Sequence, residues 1–484
     1  MKLVFLQSDP FTKVGVMTIS AVLKAAGHET GLFIDSAEKN IVESALNAKP
    51  DVVAFSGASG AHHWDFAKAR EIKEKAPKVK VLFGGPHATY YPEIIEEKFI
   101  DFVCVGEGEY AIRELLDALE KGKDASKIKN IWVKKGKKVF RNPLRKLVED
   151  LDLLPFPDRD LYYKYDFLKK QPKKDFLFSR GCPYQCTFCF NQDYKRIYEG
   201  RGKYVRFVSP MKAIEEIKAA RDAYGLERLM IHDDLFIMNK KWFDEFIELY
   251  KKEVNLPFSC LARADLVTEE IAKKLREAGC SDVAVGIESG DEFVRNEVLK
   301  KNLKEESIIR GAALIKKNKM MLKTFNMMCM PGETLEAAWK TIDLNIKIKA
   351  DFAWCSVLKI YPKTWLANYA IENGYLDKDF SLDEFGDSYI LSPTPIKLKG
   401  KDRILNLQRF VSITVNFPFL KPLVKQLIKL PPNRLFNFLL QIEYALLTIK
   451  TSQMGLMNFI DLGRRTRGYL VDERKKEEEV TAES

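Results

Sequence analysis

Three cysteines lie close together near the middle of this 484-residue chain, at Cys182, Cys186 and Cys189. Their spacing is Cys-x3-Cys-x2-Cys, and no fourth cysteine stands nearby. A pair of cysteines would suggest a redox dithiol, and a set of four would suggest structural zinc. Cysteine thiolates also hold iron–sulfur clusters, usually four to a cubane. Three thiolates can hold three irons of a 4Fe–4S cluster and leave the fourth iron open to a small molecule.

The segment around these cysteines resembles the cluster motif of the radical S-adenosylmethionine (SAM) superfamily, including the aromatic Phe188 before the third cysteine. The resemblance implies that Cys182, Cys186 and Cys189 hold a 4Fe–4S cluster and that SAM binds at its open iron. It also implies a partial (β/α)6 barrel as the fold that carries this loop.

The composition bounds the class of protein. A length of 484 residues suggests about three domains. Eight cysteines without a signal peptide indicate a reducing compartment, so we expect a cytoplasmic location. No uncharged apolar run is long enough to predict a membrane-spanning helix. The net charge of +11 is spread along the whole chain, which favours a solvated basic surface over a nucleic-acid-binding patch.

Residues 1–125 alternate short apolar runs with amphipathic stretches, a rhythm that predicts a parallel, doubly wound sheet in a Rossmann-like α/β domain. The predicted strands are Leu3–Gln7, Glu29–Ile34, Val52–Ser56, Val79–Phe83 and Phe102–Val105. The predicted helices lie near Val16–Ala26, Glu38–Asn47, Asp65–Lys75 and Glu109–Leu119. Ligands of such sheets bind outside the carboxyl ends of the strands.

Small and polar residues follow three of these strands, and glycine there allows close approach to a ligand. These loops resemble those of the cobalamin-binding domain that precedes many radical SAM domains, a resemblance that covers about the first 125 residues. It implies bound cobalamin and the following contact residues: Ser56, Gly57, Gly84, Gly85, His87, Thr89, Gly106, Glu107 and Gly108. For Gly84–Thr89 alone, a plain βα turn is the alternative interpretation.

Many cobalamin domains carry Asp-x-His-x-x-Gly after the first strand, and its histidine ligates cobalt from below. The corresponding stretch here, Ser8–Gly15, contains no histidine, so this loop supplies no lower ligand. We expect His62, His63 and His87 to make polar contacts rather than to bind metal.

A proline-punctuated connector at 126–172 leads into a second alternation of strands and helices at 173–375. The predicted strands are Phe176–Ser179, Arg228–Asp233, Phe258–Ala262, Asp282–Ile287, Lys323–Met328 and Phe352–Ile360. The predicted helices lie near Pro210–Ala223, Lys241–Glu253, Glu269–Ala278, Glu306–Lys317 and Leu335–Ile348. Six β/α units match the partial barrel that the resemblance implies, with its chemistry at the carboxyl ends of the strands.

Four predicted strand ends resemble SAM-binding positions of the superfamily. The resemblance places Asp233 near the methionine part of SAM, Arg263 at the SAM carboxylate and Glu288 near the ribose or carboxylate. The turn Pro331–Thr334 would shape the adenosyl side. Taken singly, each fragment also fits an ordinary barrel turn or a surface ion pair. After the sixth strand the chain has Tyr361-Pro362-Lys363-Thr364 where relatives often have Pro-Gly-Thr, so the substrate side is left open.

Two further cysteines, Cys329 and Cys355, fall near predicted strand ends. Such a thiol could donate hydrogen or carry a methyl group, but free cysteine is also a common core residue, and we favour the core. Cys104, Cys260 and Cys280 are predicted core thiols. No catalytic residue beyond the cofactor ligands is predicted.

The sequence of residues 376–470 predicts a helical C-terminal domain. It contains no metal or nucleotide motif. Apolar residues of 420–428 follow helical spacing with lysines interleaved, and a second apolar helix follows at Leu435–Leu447. We expect a domain that covers the barrel mouth; the alternative is a basic amphipathic surface that meets a membrane or a lipid-like substrate, which would make the protein peripheral to the membrane. The charged tail at 471–484 is predicted to be disordered.

The resemblance implies that a low-potential donor, flavodoxin or ferredoxin, reduces the cluster. SAM then yields a 5′-deoxyadenosyl radical that abstracts hydrogen from an unactivated carbon of a small-molecule or lipid-like substrate. Methyl transfer from methylcobalamin is the expected outcome, as in methylases of hopanoids, antibiotics and phosphonates. Cyclisation is the alternative, because the anaerobic cyclase of magnesium-protoporphyrin monomethyl ester shares the layout.

Two other classes of protein share part of this pattern. A tRNA-modifying methylthiotransferase usually has three N-terminal cysteines and a β-barrel RNA-binding domain, whereas the first 150 residues here hold only Cys104. A non-catalytic cobalamin or redox carrier would not need the set of SAM-site fragments. We therefore expect a small-molecule enzyme and no nucleic-acid partner.

Overall fold

A computed structural model describes residues 1–60, 62–385, 391, 393–452 and 463–464. The chain forms two compact units. The first contains Met1–Gln171 and the short segment Tyr198–Lys203, and the second contains Pro172–Ile197 and the described residues of Tyr204–Leu456. The predicted disordered tail at 471–484 lies outside the described residues, and the predicted domain boundaries stay predictions.

The first unit is built on a seven-stranded sheet of order β2-β1-β3-β4-β5-β6-β7. Its strands are β1 Lys2–Gln7, β2 Glu29–Ile34, β3 Val52–Ser56, β4 Lys80–Gly84, β5 Phe102–Cys104, β6 Ile131–Lys135 and β7 Lys138–Phe140. Its helices are α1 Val14–Ala25, α2 Ile41–Asn47, α3 His62–Lys75, α4 Gly85–Tyr90, α5 Glu109–Glu120, α6 Asp160–Tyr163 and α7 Asp166–Lys169. The first five strands are parallel, as predicted. Two antiparallel strands from the connector extend the sheet.

The second unit contains a six-stranded parallel half-barrel of order β15-β14-β13-β12-β11-β8 and a two-stranded ribbon of β9 and β10. The strands are β8 Lys173–Phe176, β9 Ser179–Arg180, β10 Arg206–Phe207, β11 Arg228–Ile231, β12 Phe258–Ala262, β13 Cys280–Glu288, β14 Met321–Met328 and β15 Phe352–Val357. The first helices are α8 Phe190–Ile197, α9 Pro210–Tyr224, α10 Lys240–Glu253, α11 Glu269–Glu277, α12 Glu305–Lys317 and α13 Leu335–Lys347. The later helices are α14 Trp365–Glu372, α15 Lys401–Arg409, α16 Val411–Asn416, α17 Lys421–Leu427 and α18 Arg434–Ser452.

Side-chain caps start most of the helices that cover this half-barrel. Oxygen atoms of Ser209, Asn239, Thr268 and Thr334 accept hydrogen bonds from backbone N–H groups three residues further on. Each cap satisfies a donor that the first helical turn leaves without an intrahelical partner. The loops between strands and helices can therefore be short, and the strand ends stay close to one another.

One hydrophobic core lies between the convex face of the half-barrel and its helices. Alternate strand residues such as Leu229, Cys260 and Val285 are buried in this core, because successive side chains of a strand point to opposite faces. The intervening Met230 and Leu261 are only partly buried. They lie on the concave face of the half-barrel, whose interior we call the lumen.

The first barrel strand differs from its prediction. The sequence predicted Phe176–Ser179, whereas the barrel strand is β8, at Lys173–Phe176, and Ser179–Arg180 pairs antiparallel with β10. The sequence analysis missed the start of β8 because it is charged, whereas buried strands usually appear as apolar runs. Lys173 faces the lumen, where a charged side chain is tolerated.

The C-terminal helices share the barrel's hydrophobic core. Ile404, Leu407, Phe410 and Phe436 are all buried in it. None of the helices in the described part of the chain combines the length and hydropathy needed to cross a bilayer.

Candidate active site

The three clustered cysteines lie in the loop between β9 and α8. Their thiols are free and partly exposed. The Cys189 N–H donates to the Cys186 carbonyl at 3.1 Å, which closes a turn between them. Between the two, the Thr187 hydroxyl donates to the Val298 carbonyl at 2.9 Å. The loop backbone is thus anchored while its thiols remain available.

A glycine sets the entry to this loop. Gly181 has φ of +87°, and a Cβ at this position would overlap the carbonyl oxygen of Tyr204. Only glycine meets both demands without strain. The residue before the first cysteine is therefore fixed by the local backbone.

The donor set fits an iron–sulfur cluster. Burial raises the pKa of the Cys182 and Cys186 thiols, and raises that of Cys189 to about 12. Such thiols keep their protons until a metal displaces them. The Asn191 side-chain amide lies 3.6 Å from the Cys189 sulfur, where it can donate to a thiolate of the cluster.

Asn191 ties the cluster loop to the end of the second barrel strand. Its Nδ2 donates to Asp234 at 3.0 Å, and its Oδ1 accepts from the Tyr204 hydroxyl at 2.5 Å. These three side chains were not among the residues predicted from the sequence. Asp234 adjoins the predicted Asp233, but nothing in the sequence links it to Asn191, 43 residues earlier.

The predicted Asp233 is fully buried. Its Oδ1 accepts a hydrogen bond from the Phe178 N–H at 2.7 Å. Burial raises the pKa of Asp233 to about 6. Asp233 therefore holds the segment that leads into the cluster loop, and its contact with SAM stays a prediction.

The predicted Arg263 lies against the cluster loop. Its guanidinium stands 4.0 Å from the ring centre of Tyr184, a residue between the first two cysteines. Nε donates to Asp265 at 2.9 Å, and Nη2 donates to the carbonyls of Lys301 and Asn302 at 2.7 Å. These contacts fix the plane of the guanidinium beside the cysteines.

A buried ion pair lies at the end of β13. Lys301 Nζ donates to Glu288 Oε1 at 2.9 Å, and both side chains are about nine-tenths buried. The Lys301 charge lowers the pKa of the Cys186 thiol and the Glu288 charge raises it, so the pair lies near the cluster loop. A Cβ on Gly286 would meet both Glu288 and Lys301. The glycine of the Gly-Ile-Glu motif therefore makes room for the pair.

Lys301 was missed because it lies in a lysine-rich stretch that resembles a solvated surface. Arg295 decides its position. This arginine is fully buried and donates to the carbonyls of Leu303 and Ser289 at 2.7 and 2.8 Å. It folds the segment between them back on itself and brings Lys301 to Glu288.

In the first unit, the structure brings the first two predicted cobalamin loops into direct contact at the carboxyl edge of the sheet, and the third loop contacts the second through Thr89. The His87 N–H donates to the Gly57 carbonyl at 3.0 Å. Gly85 has φ of +84°, and a Cβ there would lie 2.9 Å from Ser56 Oγ. Thr89 Oγ1 donates to the Gly85 carbonyl at 2.8 Å. Glycine is thus required where these loops meet.

His87 offers an unused polar atom at this edge. Its Nδ1 lies 3.0 Å from Ser59 Oγ, and its ring stacks on His62 at 4.0 Å. Burial and the neighbouring histidines lower the pKa of His87 to about 3, so the ring is neutral. Its buried Nε2 has no hydrogen-bond partner within the described residues. A polar group of a bound cofactor fits such an atom.

The third predicted loop, Gly106–Gly108, is engaged by protein groups. The Gly106 N–H donates to Thr89 Oγ1 at 3.0 Å, and the Glu107 N–H donates to the Tyr198 hydroxyl at 3.0 Å. The Glu107 carboxylate accepts from the Val148 N–H at 2.9 Å. The loop anchors the connector, and cobalamin contacts of Gly106, Glu107 and Gly108 stay predictions.

Comparison with known proteins agrees with both halves of this description. Residues 176–344 match the Radical SAM superfamily, and residues 9–116 match the B12 binding domain. An uncharacterized methyltransferase of Pyrococcus horikoshii is 31% identical over 353 residues, which cover 72% of this chain and 75% of that protein. The chain belongs to the radical SAM superfamily. Its cofactors are a 4Fe–4S cluster, SAM and cobalamin, as the sequence predicted.

Two further similarities concern the sequence and the fold of this radical SAM enzyme. The anaerobic magnesium-protoporphyrin IX monomethyl ester cyclase of Rubrivivax gelatinosus is 26% identical over 72% of this chain, and the match covers 64% of the cyclase. The fold matches the cobalamin-dependent SAM radical enzyme OxsB, solved with aqua-cobalamin and SAM, with a TM-score of 0.68. That match has 16% identity and covers 97% of this chain and 75% of OxsB.

The lumen of the radical SAM barrel has an apolar wall and charged side chains at its floor. Phe325 on β14 is 36% exposed although strands flank it on both sides, so it faces the lumen. At the start of β13, the buried Asp282 pairs with Lys323 at 2.7 Å and accepts from Ser259 at 2.6 Å. A substrate in the lumen would contact apolar side chains on its wall. The charged side chains at the floor of the lumen, Asp282 and Lys323, are paired with each other.

The two cysteines left open by the sequence are core residues. Cys329 and Cys355 both belong to the hydrophobic core on the helix side of the sheet. Burial raises the pKa of both thiols. A role as hydrogen donor or methyl carrier is therefore not supported. Cys104, Cys260 and Cys280 are buried as predicted.

The predicted turn after β14 is held by a buried carboxyl group. Glu333 accepts from the Met330 N–H at 3.2 Å, and burial raises the pKa of Glu333 to about 8. The turn is therefore internally braced. Its contact with the adenosyl side of SAM stays a prediction.

Proposed function

We propose that this enzyme transfers a methyl group from cobalamin to an unactivated carbon of a small-molecule substrate. The observation that carries the proposal is the pairing, in one chain, of the open three-thiol loop with a cobalamin domain whose first loop, Ser8–Gly15, has no histidine. Reduced cobalt prefers few axial ligands, so a missing lower ligand suits repeated methyl transfer. The 31% identity to a protein named as a methyltransferase supports the same outcome.

Residues of the second unit would hold the cluster and SAM. When bound, the cluster and SAM supply the 5′-deoxyadenosyl radical, and cobalamin supplies the methyl group. Cys182, Cys186 and Cys189 would hold three irons of the cluster. Arg263 and the Glu288–Lys301 pair offer both signs of charge to the amino and carboxylate groups of SAM. The burial of Arg263 and Glu288 beside the cluster loop supports this assignment.

The lumen wall suits the apolar part of a substrate. Met230, Leu261, Phe325 and Trp354 face the lumen, and none of them is fully buried. Apolar walls exclude water and so suppress side reactions of a reactive intermediate. The electron that starts the reaction would come from a donor of the flavodoxin or ferredoxin type.

Cyclisation without methyl transfer is the second candidate, favoured by the 26% identity to the magnesium-protoporphyrin cyclase. The two candidates differ in how SAM is consumed. A methylase converts one SAM to S-adenosylhomocysteine and another to methionine and 5′-deoxyadenosine. A cyclase has no use for the first conversion.

The test needs no substrate. The protein is reconstituted anaerobically with iron, sulfide and hydroxocobalamin, desalted, reduced and mixed with SAM. We expect cobalt near one equivalent per chain and up to one S-adenosylhomocysteine per cobalt, measured by mass spectrometry. 5′-Deoxyadenosine without S-adenosylhomocysteine would contradict methyl transfer and favour cyclisation. The variant Cys186→Ala is the control, because it removes the radical chemistry and leaves the cobalamin domain unchanged.

A further inference from the structure

The last described long helix, α18, has two apolar faces. Phe436, Leu440 and Leu447 are buried, and Phe436 packs in the barrel core, where its ring stands 4.8 Å from that of Phe410. The opposite face is exposed and equally apolar. We call it the apolar stripe: Leu435 (61% exposed), Phe438 (56%), Ile442 (41%) and Leu446 (62%). Spacings of three and four residues place its members on one side of the helix.

The segment before α18 exposes more large apolar side chains. Phe417, Phe419, Leu423 and Leu430 are each at least half exposed. Residues 417–446 thus hold eight of the fifteen large hydrophobic side chains exposed in the described part of the chain. Scattered exposed hydrophobics need no explanation, but a concentration of this kind marks an interaction surface.

The charges of this region all have one sign at the surface. Between positions 403 and 452 the chain has seven lysines and arginines and a single acidic residue, Glu443. Glu443 is buried, and burial raises its pKa to about 8, so it adds little negative charge. Lys425, Lys429 and Arg434 are exposed and interleave with the apolar residues.

We propose that residues 417–446 dock the enzyme on an anionic membrane surface. The apolar stripe would enter the headgroup region while Lys425, Lys429 and Arg434 face lipid phosphates. This combination of exposed aromatic and aliphatic residues with lysine is what interfacial helices require. A bilayer also accepts side chains without shape complementarity, unlike a protein partner. The inference does not depend on methyl transfer, because binding to lipid needs no cofactor.

The test is co-sedimentation of the full chain with vesicles. One set contains phosphatidylcholine alone, and the other contains phosphatidylcholine and phosphatidylglycerol in equal parts. We expect binding to the anionic set, weak binding to the neutral set, and release as salt rises. The double variants Leu435→Ser/Phe438→Ser and Lys425→Glu/Lys429→Glu should each bind at least about tenfold more weakly. Leu153→Ser, on a leucine that is 70% exposed in the first unit, should bind like the unchanged chain.

Three results would overturn the proposal. One is failure of the natively folded chain to bind anionic vesicles. Another is a dimer in solution that the stripe variant converts to monomer, which would show that a second copy covers the stripe. The third is a clear fall in melting temperature for the stripe variant with unchanged vesicle binding, which would show that the stripe is packed within the chain itself.

Discussion

The residues beside the cluster loop form a small set of buried, mutually fixed charges. Glu288 and Lys301 pair at 2.9 Å, and both side chains are about nine-tenths buried. A buried ion pair gives uncertain net stability, but removing one partner is costly because the other charge is left uncompensated. We therefore expect substitutions in this pair to affect the site more than substitutions elsewhere in it. The sequence predicted Glu288 but not Lys301.

Substitutions of Lys301 and of a surface lysine should differ in their effects on stability and on SAM binding. We expect Lys301→Met to lower the free energy of unfolding by about 3 kcal/mol, since the Glu288 carboxylate loses its partner. Urea unfolding of the second unit measures the change, and equilibrium dialysis measures the loss of SAM affinity. The matched control is Lys300→Met, on an exposed neighbour that stands 4.9 Å from the Trp365 ring. Equal effects of the two substitutions would contradict a special role for Lys301.

Asn191 should tune the cluster electronically. Its amide lies 3.6 Å from the Cys189 sulfur, and a donor at that position stabilises the more negative, reduced cluster. We expect Asn191→Leu to make the midpoint potential more negative by ~60 mV, roughly one hydrogen bond. Redox titration followed by electron paramagnetic resonance measures the shift. Asn191→Gln serves as the comparison that retains the amide, and an unchanged potential in Asn191→Leu would exclude the interaction.

At the scale of elements, backbone demands at strand ends and loops decide where the chemistry can sit. The cluster loop leaves a two-stranded ribbon through Gly181, and the Glu288–Lys301 pair depends on Gly286. Helix caps such as Thr268 and Thr334 hold the return helices close to the strands. Several local features of the backbone, namely these glycines and helix caps, thus act together to position the site.

Gly181 provides a test at this scale. We expect Gly181→Ala to reduce the iron retained after reconstitution, because a Cβ there overlaps the Tyr204 carbonyl in addition to the strain of φ at +87°. The control is Gly374→Ala, which has φ of +73° but no atom within 4 Å of the added Cβ. That variant should lose only about 1 kcal/mol of stability and keep its iron. Full iron retention in Gly181→Ala would mean that the loop tolerates a shift.

At the scale of the whole molecule, the two metal-bearing cofactors are assigned to two different compact units. The cysteine loop belongs to the second unit, and the loops around Gly57 and Gly85 belong to the first. Each unit has a hydrophobic core of its own. Damage to one cofactor site should therefore leave the other able to bind.

Reciprocal substitutions test this independence. We expect Cys186→Ala to lose iron and retain cobalt. We expect Gly85→Ala to retain iron and lose cobalt, because its Cβ would lie 2.9 Å from Ser56 Oγ at a φ of +84°. Iron and cobalt per chain are measured by mass spectrometry after desalting. Loss of both metals in either variant would show that the units are coupled in folding or binding.

The sequence by itself determined the periodic and the contiguous features of this protein. Strands such as Glu29–Ile34, Val52–Ser56 and Phe258–Ala262 agree with their predicted bounds, because buried parallel strands appear as short apolar runs between loops. The cluster cysteines and the order of strand-end motifs identified the family, because the three cysteines lie on one short loop and their spacing can be recognised in the sequence.

The tertiary structure alone decided which distant side chains meet. Lys301 reaches Glu288 only because the buried Arg295 folds the intervening segment, and Asn191 reaches Asp234 across 43 residues. It also assigned Cys329 and Cys355 to the helix side of the sheet, and the Gly106–Gly108 loop to Tyr198 and the connector. It showed that α18 keeps a second apolar face in solvent. Local sequence carries periodicity and motif spacing, but contact, burial and facing depend on packing between residues far apart in the chain.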